Sequence, residues 1–164
     1  MRCLSLSKTI DRLALGLVVL ALLAAFVWLQ LISNRAYRRG EVVGLIFNER
    51  NLTRETARTY TNEPFYRAFW TPSEKDIDLA DAAWQLYFQE HRPDLDHQDL
   101  VRQYFGFNRS DQPYIAIIAF CPSDQIDWTQ QLVRAHPRKG CFFEAHYDLE
   151  QEAILFLIEF PYGP

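Results

Sequence analysis

The chain has 164 residues and a net charge of −4, and this charge is divided unevenly along it. Residues 1–40 contain six Lys or Arg and one acidic residue, whereas residues 41–164 contain eleven and twenty, a net charge of −9. An acidic domain lacks the basic surface that binds phosphates, so we expect no nucleic-acid partner. About 125 residues suffice to bury one hydrophobic core, which predicts a single domain after the N-terminal segment.

A long apolar run follows a short basic segment at residues 1–12. The run is Leu13–Ile32, twenty residues without a charge. A helix rises about 1.5 Å per residue, so the run reaches roughly 30 Å, the thickness of a bilayer's hydrocarbon core. The sequence therefore predicts a single transmembrane helix that anchors the chain in the lipid bilayer. The residues taken to mark this anchor are Leu13, Leu20, Phe26, Trp28 and Ile32.

Two alternatives to an anchor stay open: a cleaved secretory signal and a buried helix of a soluble protein. The run is longer than the apolar stretch of about 7–15 residues in a secretory signal, and no good small-x-small cleavage site follows it. Positive charge on its two sides is nearly equal, so the positive-inside rule does not orient the helix. Large domains are translocated largely regardless of charge, and we therefore expect residues 41–164 on the extracytoplasmic side of the membrane.

Residues 33–60 form the predicted juxtamembrane segment, and residues 61–164 the predicted globular domain. Glu41–Phe47 fits a short strand or a helix that continues from the anchor, and the polar residues up to Tyr60 have weak helical character. The Arg35–Arg39 cluster fits either contact with lipid headgroups or the solvated end of the anchor.

An aromatic patch opens the globular domain, and its pattern does not decide its secondary structure. The patch consists of Phe65, Tyr66, Phe69 and Trp70. Exposed aromatic side chains are typical of protein-binding surfaces. The patch is therefore the candidate surface for docking a protein partner.

A helix is predicted at residues 72–91. Thr71 is its expected N-cap, Pro72 its first residue and Glu74 its capping-box acid. Five apolar side chains then recur at helical spacing. They are Ile77, Ala80, Trp84, Tyr87 and Phe88.

A second, shorter helix is predicted at residues 97–105, with Asp96 as its cap. Its apolar face consists of Leu100, Val101, Tyr104 and Phe105. Three acids at its start, Asp94, Asp96 and Asp99, partly resemble a calcium-binding loop, but the glycine and the distal glutamate of such a loop are missing. Helix capping is therefore the favoured interpretation, and these acids are only weak candidates for metal ligands.

The C-terminal part of the chain predicts a sheet. Tyr114–Cys121 is almost wholly apolar, as in a strand buried on both faces, and a helix follows at residues 124–136. Cys141–Tyr147 and Ala153–Phe160 form an antiparallel hairpin. The lengths of the first three elements suit a right-handed parallel crossover. The predicted fold is therefore an α+β domain, in which a C-terminal β-α-β-β unit packs against the two preceding helices.

The direction of these strands decides whether Cys121 and Cys141 can pair. In parallel strands their Cα atoms would lie roughly 20 Å apart, too far for a disulfide. In antiparallel strands both thiols would lie at one edge of the sheet and could pair. The predicted crossover favours two free, buried thiols, and the disulfide remains the alternative.

Glu144 and His146 are weak candidates for catalysis. They lie two residues apart on a predicted strand, so their side chains point to one face and could act as an acid–base pair. The simpler interpretation is an edge strand with a polar face toward solvent. No catalytic, metal or nucleotide-binding motif accompanies them, and six glycines supply no phosphate-binding loop, so we expect no cofactor.

Three function classes follow from these patterns. The leading hypothesis is a non-enzymatic, membrane-anchored interaction or accessory protein with an acidic domain. The second is a tethered module that binds a small molecule or peptide in an aromatic pocket formed by Trp70, Trp84 and Trp128. The third is an enzyme that uses Glu144 and His146.

Overall fold

The computed structural model divides into two compact units, residues Met1–Ser33 and Asn34–Pro164. The residues it describes are 3–61, 64–124, 127–134 and 140–159. The second unit combines helices with one mixed sheet, which confirms the predicted α+β class.

The first unit contains helix α1, Cys3–Ile32. Its described side chains, Leu15–Leu29, are all exposed, and Leu20, Phe26 and Trp28 each expose 60% or more of their surface. Over the residues that the structure describes, no helix combines the length and the apolar character needed to cross a membrane. The structure therefore does not support the predicted transmembrane anchor, and the side chains of its end residues Leu13 and Ile32 lie outside the described part.

In the part of the chain that the structure describes, the second unit is built on a seven-stranded sheet. Its strands are β1 (Arg35–Arg39), β2 (Val42–Ile46), β3 (Phe69–Trp70), β4 (Val101–Arg109), β5 (Gln112–Phe120), β6 (Phe142–Asp148) and β7 (Ala153–Glu159). They lie in the order β1-β2-β4-β5-β6-β7, and β3 pairs with β4. The β2–β4 pair is parallel, whereas the other described pairs are antiparallel. Of the two interpretations of Glu41–Phe47, the structure shows the strand.

Helices cover the two faces of the sheet unequally. The helices of this unit are α2 (Arg54–Tyr60), α3 (Phe65–Ala68) and α4 (Glu74–His91). Alternate residues of β5 point to opposite faces, because a strand has a side-chain period of two. Ile115 and Ile117 pack in the core cluster that includes α4. Ala116 and Ile118 pack in the cluster that includes side chains of α2, α3 and the segment after β5.

Helix α4 begins two residues later than the sequence predicts. Its N-cap is Ser73 rather than Thr71, and Asp76, not Glu74, completes the capping box with it. The sequence offers two overlapping capping signals, and the later one forms because Ser73 Oγ accepts from the Asp76 amide while the Asp76 carboxylate accepts from the Ser73 amide.

The helix predicted at residues 97–105 is wrong, because most of this segment forms β4. Residues His97–Asp99 make one 3-10 turn, which Asp96 caps by accepting a hydrogen bond from the amide of Gln98. Strand β4 is buried on both faces over its first seven residues, so its apolar side chains do not alternate with polar ones. A short apolar run of this kind also fits a helix, which explains the error.

The predicted β-α-β-β crossover is also wrong, although its strands are present. Strands β5 and β6 pair directly and antiparallel, while β6 and β7 form the predicted hairpin. The helix predicted at residues 124–136 is absent from its described residues, which form turns and irregular backbone. Because the strands are antiparallel, Cys121 and Cys141 lie with Cα atoms 5.2 Å apart and form a disulfide, so the favoured expectation of two free thiols is corrected.

Candidate functional site

The structure brings Glu144 and His146 together on β6. The two side chains share one face of the strand, and Nε2 of His146 lies 2.9 Å from Oε1 of Glu144. Strand β6 lies between β5 and β7, so it is not the edge strand of the simpler interpretation. The side chains are 6% exposed for His146 and 13% for Glu144, which makes this a mostly buried pair rather than a solvated polar face.

Aromatic rings surround the His146 imidazole. The ring of Phe156 on β7 lies 4.4 Å away and that of Phe107 on β4 lies 4.8 Å away, measured between centroids. Tyr60, in the last turn of α2, contributes a third ring at 5.6 Å. The imidazole is therefore held in one orientation by packing, with the Glu144 carboxylate as its polar partner.

Tyr60 belongs to the same site, although the sequence analysis did not select it. Burial raises the pKa of its hydroxyl above the ordinary value, and the nearby Glu144 carboxylate raises it further. The phenol therefore stays protonated beside Glu144. Since His146 also contacts this carboxylate, the three side chains form one cluster inside the domain.

This arrangement gives a substrate little access. A general acid or base must lie within hydrogen-bond reach of the group it acts on. His146 is enclosed by rings, and its Nε2 is already bonded to the Glu144 carboxylate. The geometry therefore favours a role in fixing α2 on the sheet over a role in catalysis.

An open cleft of about 670 Å³ lies beside this site. One wall is formed by residues from Asn51 to Thr56 and the other by residues 130–134. Arg134 joins the two walls, because its guanidinium donates to Oγ1 of Thr56 at 2.8 Å and lies 3.0 Å from the Glu55 carboxylate. Charged and polar side chains line this cleft together with the apolar side chains of Leu52, Leu132 and Val133.

The irregular wall of the cleft is held by a buried glutamine. Gln103 on β4 has no exposed surface, and its amide nitrogen donates to the carbonyls of Trp128 and Gln131 at 2.7 and 2.8 Å. Its amide oxygen accepts from the backbone nitrogen of Val133. The Gln103 side chain thus forms hydrogen bonds with three backbone groups of this segment. In a helix, such groups would bond to one another.

A second buried polar cluster lies on the opposite face of the sheet, under α4. Arg102 donates to Asp81 at 2.7 Å, and both side chains have no exposed surface. The same carboxylate oxygen accepts from the Tyr104 hydroxyl, also at 2.7 Å, and Gln85 donates to the other oxygen. Asp81 falls four residues after Ile77 on the apolar stripe of α4, and a charge at such a position is the sequence signal that could have identified this cluster.

The structure describes two of the four aromatic side chains of the predicted docking patch, those of Phe69 and Trp70. Phe69 is 9% exposed and packs edge-to-face on Phe105 in the core. The Trp70 indole covers Gly106 so closely that a Cβ there would lie 2.3 Å from the ring. Phe69 is therefore part of the domain interior and Trp70 is partly buried, while the side chains of Phe65 and Tyr66 lie outside the described part of the chain.

The three tryptophans of the predicted aromatic pocket do not meet. Trp84 is fully buried and stacks on Phe88 in the core cluster under α4, against which Trp70 also packs. Trp128 packs against the cluster on the other face of the sheet. The sheet therefore lies between Trp128 and the other two tryptophans.

The acids considered as metal ligands have other partners. Both oxygens of Asp94 accept from the Arg92 guanidinium at 3.0 Å, and this pairing lowers the pKa of Asp94. Asp96 caps the 3-10 turn, as expected for a capping residue, and Asp99 lies in that turn. Among the residues that the structure describes, no group of three or more His, Cys, Asp or Glu side chains is arranged to hold a metal ion.

Comparisons with protein-family models, with curated proteins and with solved structures find no significant match to this chain. The function must therefore be argued from the geometry of the two units.

Proposed function

We propose that this chain is a membrane-bound, non-enzymatic interaction protein that presents its α+β domain at the membrane surface. One observation carries the proposal: every described side chain of α1, from Leu15 to Leu29, is exposed, and eleven of them are large and apolar. The α+β unit encloses core clusters of its own on both faces of its sheet.

The exposed apolar side chains of α1 must be shielded from water. Burial of a Leu, Val or Phe side chain stabilises by roughly 1.5–3 kcal/mol, so eleven such groups in water represent a large unfavourable term. Within Leu15–Leu29 there is no polar side chain, and a helix that is apolar on all sides suits insertion into lipid rather than a position flat on its surface. The proposal takes the whole charge-free run, Leu13–Ile32, as the inserted segment.

The disulfide supports an extracytoplasmic position for the domain. Disulfides persist in oxidising compartments and are rare in the cytosol. The bond between Cys121 and Cys141 closes the segment that forms one wall of the cleft, so the surface of the domain depends on it. A domain on the oxidising side of a membrane would keep this segment closed.

A binding role fits the domain better than catalysis. The acid–base candidates Glu144 and His146 are enclosed by aromatic rings and by Tyr60, as described above. The accessible polar groups instead line the cleft between α2 and residues 130–134. A protein or peptide partner with polar groups is the ligand that this cleft suits.

The experiment is alkaline carbonate extraction of membranes from cells that express the full chain. We expect the chain to stay in the membrane pellet, and the double variant Leu20→Arg/Leu23→Arg to move to the supernatant, because each arginine at the centre of an inserted helix costs roughly 2.5–3.5 kcal/mol. Leu86→Arg is the matched control, since Leu86 is a 72% exposed leucine of α4 in the domain.

Protease protection in sealed cells then locates the domain. Cleavage from outside supports the extracytoplasmic arrangement, whereas protection until the membrane is opened contradicts it. Extraction of the unmodified chain by carbonate, or equal extraction of the Leu86→Arg control, would contradict membrane insertion itself.

A further inference from the structure

Strand β1 carries three arginines within five residues at the edge of the sheet. Arg35, Arg38 and Arg39 are all exposed, and β1 is the first strand in the sheet order, with β2 as its neighbour. The strand is anchored to the domain by Tyr37, which is 5% exposed and donates to the Asp78 carboxylate at 2.8 Å. The arginines are therefore presented on a fixed strand rather than on a loose tail.

The three arginines differ in how far their charge is compensated. Arg39 lies 3.5 Å from the Asp78 carboxylate, which offsets its charge. Arg35 donates to the backbone carbonyl of Pro72 at 3.0 Å, a contact that orients the guanidinium but leaves its charge in place. Arg38 points to the other face of the strand, and within the described residues it has no hydrogen bond or ion pair. Arg35 and Arg38 thus supply two uncompensated charges.

The chain keeps Arg35 close to the end of α1. Two residues separate Ile32 from Arg35, so the two Cα atoms, three Cα–Cα steps apart, can lie at most about 10–11 Å from each other. Arg38 lies about 10 Å further along β1. A bilayer is about 40–45 Å thick with its headgroups and about 30 Å without them, so each headgroup layer is several ångströms deep. Trp28, exposed near the C-terminal end of α1, is a residue type that lies at the headgroup level.

We propose that Arg35 and Arg38 bind the phosphate groups of anionic phospholipids at the surface of the membrane that holds the chain. The proposal rests on the membrane insertion of α1 proposed above. A guanidinium donates two parallel hydrogen bonds to phosphate oxygens, and its planar shape suits this contact better than an ammonium does. Glu41 lies in the turn after β1, at the opposite end of the strand from Arg35.

The test is lipid binding to the purified full chain in neutral detergent, counted by native mass spectrometry. Phosphatidylglycerol is the anionic probe, and phosphatidylcholine and inorganic phosphate are the comparison probes. We expect phosphatidylglycerol to bind more tightly than phosphatidylcholine. The double variant Arg35→Gln/Arg38→Gln should lose roughly 25-fold in affinity for it, since each arginine near an anionic surface contributes about five-fold.

Arg58→Gln is the matched control, because Arg58 is an exposed arginine of α2. An unchanged affinity in the double variant, or an equal loss in Arg58→Gln, would overturn the proposal. Competition by millimolar inorganic phosphate would show a general phosphate site and would overturn the assignment to lipid. If the chain stays in carbonate-washed membranes but shows no preference for phosphatidylglycerol, this inference fails while the proposed function stands.

Discussion

The two faces of the sheet each enclose a pair formed by an acidic and a basic side chain, and the pairs differ in how deeply they are buried. Under α4, the Arg102 and Asp81 side chains lie 2.7 Å apart with no exposed surface. On the other face, His146 and Glu144 lie 2.9 Å apart and retain 6% and 13% exposure. The difference follows from what covers each face.

A long regular helix covers the first face, whereas the second face has a composite cover. Helix α4 has 18 residues and a capping box, so its own backbone groups are satisfied and its side chains can seal the pair. The second face is covered by the seven-residue α2 and by an irregular segment that depends on Gln103 and on the disulfide. Regular structure therefore produces a closed polar cluster, and irregular structure leaves a polar cluster next to a cleft.

The largest effect should come from breaking the pair under α4. Asp81→Ala leaves Arg102 buried without its carboxylate, and the loss of one partner of a buried pair costs about 3–5 kcal/mol. Denaturant unfolding of the full chain, followed by tryptophan fluorescence, measures this loss. Asp78→Ala is the control, because Asp78 is 48% exposed and its contacts should contribute only about 1 kcal/mol. Equal losses of unfolding free energy in the two variants would show that the buried Asp81 pair contributes no more to stability than the exposed contacts of Asp78.

Removal of the disulfide should weaken the second face selectively. The bond closes a loop with a sequence separation of 20, for which the chain-entropy relation gives roughly 3 kcal/mol. In Cys121→Ala/Cys141→Ala we expect this loss of stability together with faster hydrogen exchange in residues 127–134. In α4 we expect exchange to become faster only by the amount that the loss of global stability explains. An increase in α4 as large as that in residues 127–134 would mean that the disulfide stabilises both faces of the sheet equally, which contradicts the prediction.

The elements that the sequence predicted well have local signals. The stripe from Ile77 to Phe88 is periodic over three turns, which identifies α4 although two capping signals compete at its start. The hairpin of β6 and β7 is marked by two apolar runs around a polar turn. In contrast, β4 has both faces buried, so its sequence carries no alternation that would separate a strand from a helix.

The parts of the candidate site that sequence analysis missed depend on contacts between distant segments. The spacing of Glu144 and His146 predicts that they share a face, but their burial depends also on α2, which lies far away in the chain. Tyr60 joins them across 84 residues of sequence, and no local pattern indicates this contact. The sequence left the disulfide as the less favoured alternative for the same reason, since the direction of β6 relative to β5 is a tertiary property.

The smallest effect should come from Tyr60→Phe on the second face, and it has a pH signature. The variant removes the buried hydroxyl beside the Glu144 carboxylate, while the contact of that carboxylate with His146 remains, so we expect a loss of about 1 kcal/mol at neutral pH. Burial and Glu144 raise the pKa of Tyr60, whereas an unfolded tyrosine ionises near pH 10. Above about pH 10 the unfolded state therefore binds fewer protons than the folded state, and stability falls as pH rises.

Tyr60→Phe should make that alkaline fall less steep, because one of the tyrosines responsible is gone. Denaturant unfolding of the full chain and of the variant at several values between about pH 9 and 11.5 measures both slopes. Tyr104→Phe provides the comparison with the first face, since burial also raises the pKa of Tyr104 beside Asp81. A Tyr60→Phe profile parallel to that of the unmodified chain would mean that the phenol ionises as freely in the folded state as in the unfolded one. Tyr60 would then lie in a site open to water, and the second face would be less sealed than its aromatic rings suggest.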